Sequence, residues 1–441
     1  MKFIDLFSGI GGFRSGLEKN GHKAVAYSEV DKYAKQSYTS IYETSEELDL
    51  GDITKVSNEQ WQDLKGKANI IVGGSPCQSF SLAGKRRGFE DTRGTLFFHY
   101  VNAVKEVQPE FFIFENVKGM ISHDKGETIK TVLSSFNEIG YDIDFDVFNS
   151  KYYGVPQNRE RIYIVGKRKD LGINESRESV KGKKKLDQLK NWAIENINYV
   201  KLLPENNNEN VEKRLVDVLE DKVDEKYYLS EEKTKKLTLN LDLTESKKSD
   251  IAIKQVGNIV DNKKTFGGNP QRGRVYNSEG LSPALNCMRG GGLEPKIAVR
   301  EATKQGYAIA EQGDSVNVTY PDSKTRRGRV GKQVAQTLQA GEVNQGVVID
   351  DTQGYDGTRI YKGVSPTIRS SRSGLKTIDN LRIRKLTPLE CWRLQSFTDE
   401  QFYKAKDSGV SNSQLYKQAG NAVTVNVVDA ITKELFKHGL K

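Results

Sequence analysis

Short apolar runs alternate with helical stretches through the first 166 residues, and that alternation leaves few folds open. Ala68-Asn69-Ile70-Ile71-Val72 reads as a buried strand and stops at Gly73-Gly74-Ser75-Pro76-Cys77. Lys2-Phe3-Ile4-Asp5-Leu6-Phe7 likewise stops at Ser8-Gly9-Ile10-Gly11-Gly12, and a helix starts at Phe13. Further strands are predicted over 22–28, 109–114, 141–149 and 162–166, with helices after Gly94 and over 128–140. Strand, turn and helix in this order predict an α/β architecture, a doubly wound and mostly parallel Rossmann-like sheet. In such a sheet the side chains just past the strands gather at the C-terminal edge, where ligands bind.

Those positions carry chemistry. The turn from Gly9 to Gly12 would bring backbone N–H groups close to a ligand. Glu29 follows the second strand about 20 residues past that turn, the spacing that suits hydrogen bonds from a ribose diol. Asp52 in Gly51-Asp52-Ile53 and Glu115 in Glu115-Asn116-Val117 occupy later turns. Each acid alone is equally readable as a helix cap or a surface charge. Cys77 is followed by Lys85, Arg86, Arg87 and Arg93, and cations favour the thiolate, the nucleophilic form. A small buried thiol is the plainer reading of the same residue. Arg159 and Arg161 enter the strand at 162 two positions apart, so both are expected on one face, suited to a phosphate or carboxylate.

The 441 residues allow two or three domains, at about 150 residues each. Three cysteines, Cys77, Cys287 and Cys391, are too scattered for a disulfide framework or a zinc site, so no metal and a reducing compartment are expected. No apolar run reaches the roughly 18 residues of a membrane span, and no signal peptide is evident. The net charge of +9 is concentrated: residues 256–385 hold 21 Lys and Arg against 12 Asp and Glu, and 18 of the 40 glycines. A basic, glycine-rich window predicts a nucleic-acid-facing domain, or else a solvated insertion. Within it a pattern recurs. Arg274-Val275-Tyr276 leads to Leu285, Arg329-Val330-Gly331 to Leu338, and Arg359-Ile360-Tyr361 to Ile368, which suggests three hairpin-like repeats. The expected boundaries are 1–170 with 386–441 for the α/β domain, 171–255 for a connector with helical segments, and 256–385 for the β-rich basic domain.

Taken together, the chain resembles the DNA (cytosine-5)-methyltransferases of bacteria and phages. The resemblance rests on Asp5-Leu6-Phe7-Ser8-Gly9-Ile10-Gly11-Gly12-Phe13, Ser75-Pro76-Cys77-Gln78, Glu115-Asn116-Val117, Gln157-Asn158-Arg159-Glu160-Arg161 and Gly420-Asn421-Ala422-Val423, in the family's order. It covers roughly 1–166 and 386–441. The basic window stands where the family has a variable target-recognition domain, and its repeats are similar to those of phage enzymes that read more than one target.

The resemblance implies methyl transfer from S-adenosylmethionine to carbon 5 of a flipped-out cytosine in double-stranded DNA, through a covalent cysteine adduct. It implies Cys77 as nucleophile, Glu115 as the proton donor at N3, Arg161 holding the Glu and the base, and Arg159 holding a phosphate or the Cys77 loop. For the cofactor it implies Phe7 beside the adenine, Glu29 on the ribose, and Asp52 with Ile53 on the adenine edge. Gly9, Gly11, Gly12, Pro76, Asn421 and Val423 would line the methionine side. The DNA would meet Gln78, Ser81, Lys85 and Arg93 on a lid loop, and Arg274, Arg329 and Arg359 heading the repeats. A cytoplasmic monomer of a bacterial cell or phage-infected host is expected, serving restriction-modification or phage protection. A non-catalytic DNA-binding module and a tRNA cytosine methyltransferase are the competing readings.

Overall fold

The computed structural model describes residues 1–76, 96–172, 175–205, 211, 213–230, 255–258, 274–276, 296–303, 306–311, 313–320, 323, 325–337, 345–350 and 381–439. The chain forms two compact units, one from Met1–Lys213 and Cys391–Lys441, the other from Arg214–Leu338 and Val343–Glu390.

In the first unit the strands are β1 (Lys2–Leu6), β2 (Lys23–Ser28), β3 (Leu48–Asp49), β4 (Ile70–Gly73), β5 (Phe111–Val117), β6 (Tyr141–Asn149), the two-residue β7 (Gln157–Asn158) and β8 (Glu160–Arg168). Seven of them make one sheet in the order β3-β2-β1-β4-β5-β8-β6. The first five are parallel; β8 runs antiparallel to both β5 and β6. The sheet is therefore doubly wound and mostly parallel, as the alternation predicts. Central strands buried on both faces need continuous apolar runs, and β4 is buried along its whole length.

Helices cover both faces. The first-unit helices are α1 (Gly12–Glu18), α2 (Lys32–Ile41), α3 (Asn58–Gln62), α4 (Leu96–Val107), α5 (Glu127–Glu138) and α6 (Lys185–Asn196). After α7 (Pro388–Arg393) come α8 (Asp399–Asp407), α9 (Asn412–Asn421) and α10 (Val425–Lys437). One face buries Phe97, Tyr100, Val104, Ile129, Val132 and Phe136 of α4 and α5 against Ile71, Phe112 and Phe114. The other buries Phe13 and Leu17 of α1 with Val427, Val428, Ile431 and Leu435 of α10. The closing helix thus returns to the first strands, as its apolar face predicts. The 171–205 stretch lies in this unit, where α6 packs Leu189 and Ala193 into the core and pairs Lys190 with Asp146 at 2.9 Å.

His22 marks the junction of α1 and α10. Its ring is buried and stacked on Phe436, centroids 5.2 Å apart, and neither ring nitrogen has a partner among the described residues. Burial pulls the imidazole from its usual 6.5 to about 4. The folded state therefore prefers the neutral ring. The stabilisation is complete above pH 6.5 and is lost as pH falls toward 4. A His22→Phe variant should resist acid unfolding through that window while matching the parent near neutrality; equal acid midpoints in thermal melts would remove His22 from the acid response.

The second unit is β-rich. β9 (Gln255–Asn258) pairs with β10 (Arg274–Tyr276), and β11 (Lys296–Arg300) with β12 (Tyr307–Glu311), both antiparallel. β13 (Ser315–Asn317), β14 (Val330–Gly331), the short β15 (Ala335–Gln336), β16 (Gln345–Asp350) and β17 (Leu381–Lys385) follow. A four-stranded antiparallel sheet runs β14-β13-β16-β17. Among the described residues, its core holds Val299, Ala310, Val316, Val348 and Ile383. The second sequence repeat does not close as a hairpin on itself, because β14 pairs with β13 instead of turning back on β15. The third repeat, at 359–368, lies outside the described residues. Behind the sheet, Arg384 and Glu390 form a fully buried two-point ion pair at 2.8 and 2.7 Å, with the N–H groups of Glu220 and Thr387 on the same carboxylate.

Candidate functional site

A cleft of about 640 Å³ opens in the first unit, at the end of the sheet where the parallel strands finish. Its lining includes Phe7, Gly9, Glu29, Asp52, Ile53, Pro76, Glu115, Arg159, Arg161 and Asn421, so ten of the residues predicted from sequence meet in one hollow. The topology explains the convergence. β1 to β5 are parallel and end at this edge, whereas β8 is antiparallel and begins here. Its pairing register sets Arg161 opposite Val117, diagonal to Glu115.

Glu29 organises the rim. Its Oε2 accepts the Gly9 N–H at 2.8 Å, and Oε1 accepts those of Val30 and Asp31 at 2.8 and 2.7 Å. A carboxylate has about four acceptor sites, so roughly one stays available to a hydroxyl. Asp52 caps the turn at Ile53–Lys55 through Thr54, whose hydrogen bonds hold the carboxyl below its usual range. Phe7 takes a left-handed backbone, φ 54°, uncommon for a bulky residue and typical of functional turns. Beneath it, buried Asp5 is pushed well up by burial, a change opposed by Arg14. Arg14 in turn ties α1 to Tyr38, Glu47 and the Glu43 carbonyl.

The floor of the cleft is tight. An added Cβ at Gly74 would come within 2.8 Å of Glu115 Oε2, so the glycine lets the carboxyl sit against the β4 turn. Arg161 Nε lies 3.2 Å from Glu115 Oε1. Burial pushes the Glu115 carboxyl up, and Arg161 and then Arg159 pull it down, leaving it above its ordinary value. Asn116, which sequence reasoning gave no role, is buried and donates from Nδ2 to the Ser75 carbonyl at 2.9 Å. It fastens the backbone one step before Pro76.

Several expectations change. Arg159 is buried and donates to the carbonyls of Gly420 and Ala422 at 3.2 and 2.7 Å, so its fork is engaged at the C-terminal end of α9, while its expected hold on the Cys77 loop falls outside the described residues. Burial, then Arg161, lowers its guanidinium to about 10. Gly11 and Gly12 do not line the cleft. A Cβ on Gly11, where φ is 80°, would strike the Tyr42 ring at 2.4 Å, and one on Gly12 would meet Val423 at 2.7 Å. Val423 is likewise a packing residue in the second core cluster. Arg329 is fully buried inside the second unit, so a direct DNA contact from its guanidinium is ruled out. Cys77, Gln78, Ser81, Lys85, Arg93 and Arg359 lie outside the described residues, as does the side chain of Arg274.

Missed entirely were Lys417 and Gln418 of α9. Lys417 Nζ meets Asp31 at 2.6 Å on the rim, and Gln418 bridges the Ser37 hydroxyl and the Tyr33 carbonyl of α2. The capping acid Asp31 was the available signal, since it accepts the N–H groups of Tyr33 and Ala34 at the start of α2.

A family model described as C-5 cytosine-specific DNA methylase matches residues 1–437. The chain belongs to that family. This DNA cytosine-5 methyltransferase is 42% identical to the orphan methyltransferase M.SPRI of Bacillus phage SPR, over 99% of its own length and 97% of the relative's. The orphan methyltransferase M.Rho11sI of Bacillus phage rho11s is 39% identical, with the same coverage. The type II methyltransferase M.HpaII of Haemophilus parainfluenzae is 31% identical, over 99% of this chain and 89% of that one. Among solved structures, a mutant of Spodoptera frugiperda DNMT2 superposes with a TM-score of 0.51 at 17% identity, over 99% of both chains. That likeness supports the fold of the C-5 methylases. Among the described residues, no helix is long and apolar enough to cross a membrane.

Proposed function

We propose that this chain methylates carbon 5 of cytosine at defined sites in duplex DNA, using S-adenosylmethionine and a transient bond from Cys77. The observation that carries the reading is the Glu115–Arg161 pair on the floor of a cleft whose rim holds Glu29 and Asp52. The cleft suits the cofactor: its volume falls in the range of about 300–1,000 Å³ usual for small-molecule sites, and its acids match a ribose diol and a cationic ligand. Two buried polar atoms on its lining, Ser75 Oγ and Arg159 Nε, have no partner among the described residues. Phe7, Glu29, Asp52, Ile53 and Asn421 would hold the cofactor. When bound, it supplies an electrophilic methyl group.

The protein's own residues supply the rest. Cytosine carbon 5 is a poor nucleophile, and covalent catalysis divides the hard step into easier ones. The Cys77 thiolate adds to carbon 6, which raises electron density at carbon 5. Protonated Glu115 donates at N3, where negative charge would build, in the manner of an oxyanion hole. Arg161 fixes the direction of that carboxyl. The carbon 5 proton then passes to solvent water, its bonding pair forms the carbon 5–carbon 6 double bond as the Cys77 thiolate leaves, and the N3 proton returns to Glu115, which restores the aromatic ring. The target base must leave the stack to reach such a pocket. The second unit supplies the site choice, and the phage and type II relatives support a role in protecting DNA from restriction. Incubating the chain with labelled cofactor and duplex DNA should give 5-methylcytosine at a fixed sequence; label reaching only tRNA, or neither nucleic acid, would overturn the reading.

A further inference from the structure

Between β13 and β14 the chain makes a turn whose construction is out of proportion to its length. At Tyr320 the backbone is left-handed, φ 47°, a conformation that strains a bulky residue and persists only where the surroundings impose it. Arg329 imposes it here. Its NH1 donates to the carbonyls of Asn317 and Thr319 at 3.1 and 3.0 Å, and its NH2 to that of Tyr320 at 2.7 Å. Ser323 N–H adds a second bond to the Tyr320 carbonyl at 3.0 Å. On the return limb, Glu301 accepts the N–H groups of Gly328, Arg329 and Val330 at 3.1, 2.6 and 3.1 Å. A buried arginine and a half-buried carboxylate therefore clamp both ends.

What the clamp presents is an aromatic ring. Tyr320 is 75% exposed, the highest exposure among the large apolar side chains described. The Arg326 guanidinium sits 5.8 Å over its centroid. Arg327, next in the chain, is exposed and fixed by its Nε on the Ala302 carbonyl at 2.8 Å. An exposed aromatic ring with a half-buried guanidinium over it and an exposed guanidinium beside it matches what base-edge and phosphate recognition require.

We propose that the Tyr320 turn is a specificity-determining element: the Tyr320 hydroxyl and the Arg326 guanidinium read base edges of the target duplex, while Arg327 meets a phosphate. Arg329, named from sequence as a DNA contact, is the positioning residue that holds this turn. The inference rests on the chain being a site-specific DNA methyltransferase and names which residues choose the site.

The test uses the full-length chain and a pool of duplexes randomised around the methylated cytosine, read by bisulfite sequencing. Tyr320→Ala should relax the preference at one base pair by roughly 5- to 150-fold, through a fall in kcat/KM on the preferred site with little change on sites that differ at that base pair. Arg327→Ala should weaken binding evenly across sequences and reduce the salt slope by about 1. Tyr320→Gly separates function from folding. Glycine accepts a positive φ without strain, so this variant should melt at or above the parent and still lose the preference. Preference profiles of Tyr320→Ala and Tyr320→Gly identical to the parent's would overturn the proposal, as would a loss spread evenly over all sequences. A parent chain that methylates no DNA would overturn both this inference and the function it rests on, and that result is read before any variant is made.

Discussion

A Cys77→Ala variant should still bind duplex DNA yet transfer no methyl group, with the rate down by roughly 10⁴-fold or more. The size of the effect follows from the role. Without the sulfur, carbon 5 has no route to the electron density that an attack on a methyl group needs, and binding energy elsewhere in the site cannot replace it. Cys391 offers no substitute, since it is buried near the start of the closing helical segment. A duplex with 5-fluorocytosine at the target gives a second reading of the same claim. The thiolate adds to carbon 6 and carbon 5 accepts its methyl, but fluorine cannot leave as the proton does, so the carbon–sulfur bond persists. The parent should form a denaturation-resistant adduct that maps to Cys77, and the alanine variant none. Methyl transfer surviving in the variant, or a cross-link at another residue, would sink the nucleophile assignment.

Much of the first unit was legible because parallel strands buried on both faces need unbroken apolar runs, and those runs end where polar residues begin. The strand over 141–149 and the helix from Val425 coincide with what the pattern predicts. The helices that were not anticipated are amphipathic and polar on average, yet each carries a start signal in the sequence. Asp31, Ser57, Thr398 and Ser411 all cap a helix through their side chains, and Ser57 with Gln60 and Thr398 with Gln401 form reciprocal capping boxes. Gly420, in the Gly420-Asn421-Ala422-Val423 motif, is buried in the last turn of α9, and its carbonyl and that of Ala422 are held by Arg159. The Arg159–Gly420 contact joins residues 261 positions apart, and no local rule reveals it.

The site was legible as composition and less so as geometry. Motif order brought Glu29, Asp52, Glu115 and Arg161 to one cleft, since the topology of a doubly wound sheet fixes where strand ends go. The partners of Arg159 were not legible. Arg159 and Arg161 are two residues apart, but Arg159 precedes β8 while Arg161 lies within it, so the alternation of a strand does not apply to the pair. The same limit governs the second unit. Arginine, aliphatic and glycine spacing suggested hairpins with outward arginines, whereas Arg329 is turned inward onto three carbonyls and β14 pairs with its neighbour in space. A basic window announces a polyanionic partner without saying which cation reaches it.

Glu115→Gln should lower kcat by about 10²- to 10³-fold, the loss seen when a charge-stabilising donor is removed from a developing anion. The amide can still donate a hydrogen bond to N3 but has no proton to give. The pH profile distinguishes this role from simple support. Under the proposed mechanism, the parent's rate should rise with pH where the nucleophile becomes a thiolate and fall where Glu115 loses its proton, giving a bell. Burial places the descending limb above the ordinary carboxylate range, with Arg161 and Arg159 opposing it. The Gln variant should keep the ascending limb and lose the descending one. Stability offers a readout free of catalysis. A carboxyl raised in the folded state contributes stability below its unfolded value, and that contribution is lost as pH rises through the folded one. Replacing it with an amide removes the titration, so thermal melts of Glu115→Gln should lack the decline that the parent shows over that interval. A variant that retains the descending limb of activity would mean that a different group titrates, and the proton at N3 would then have to come from elsewhere than Glu115.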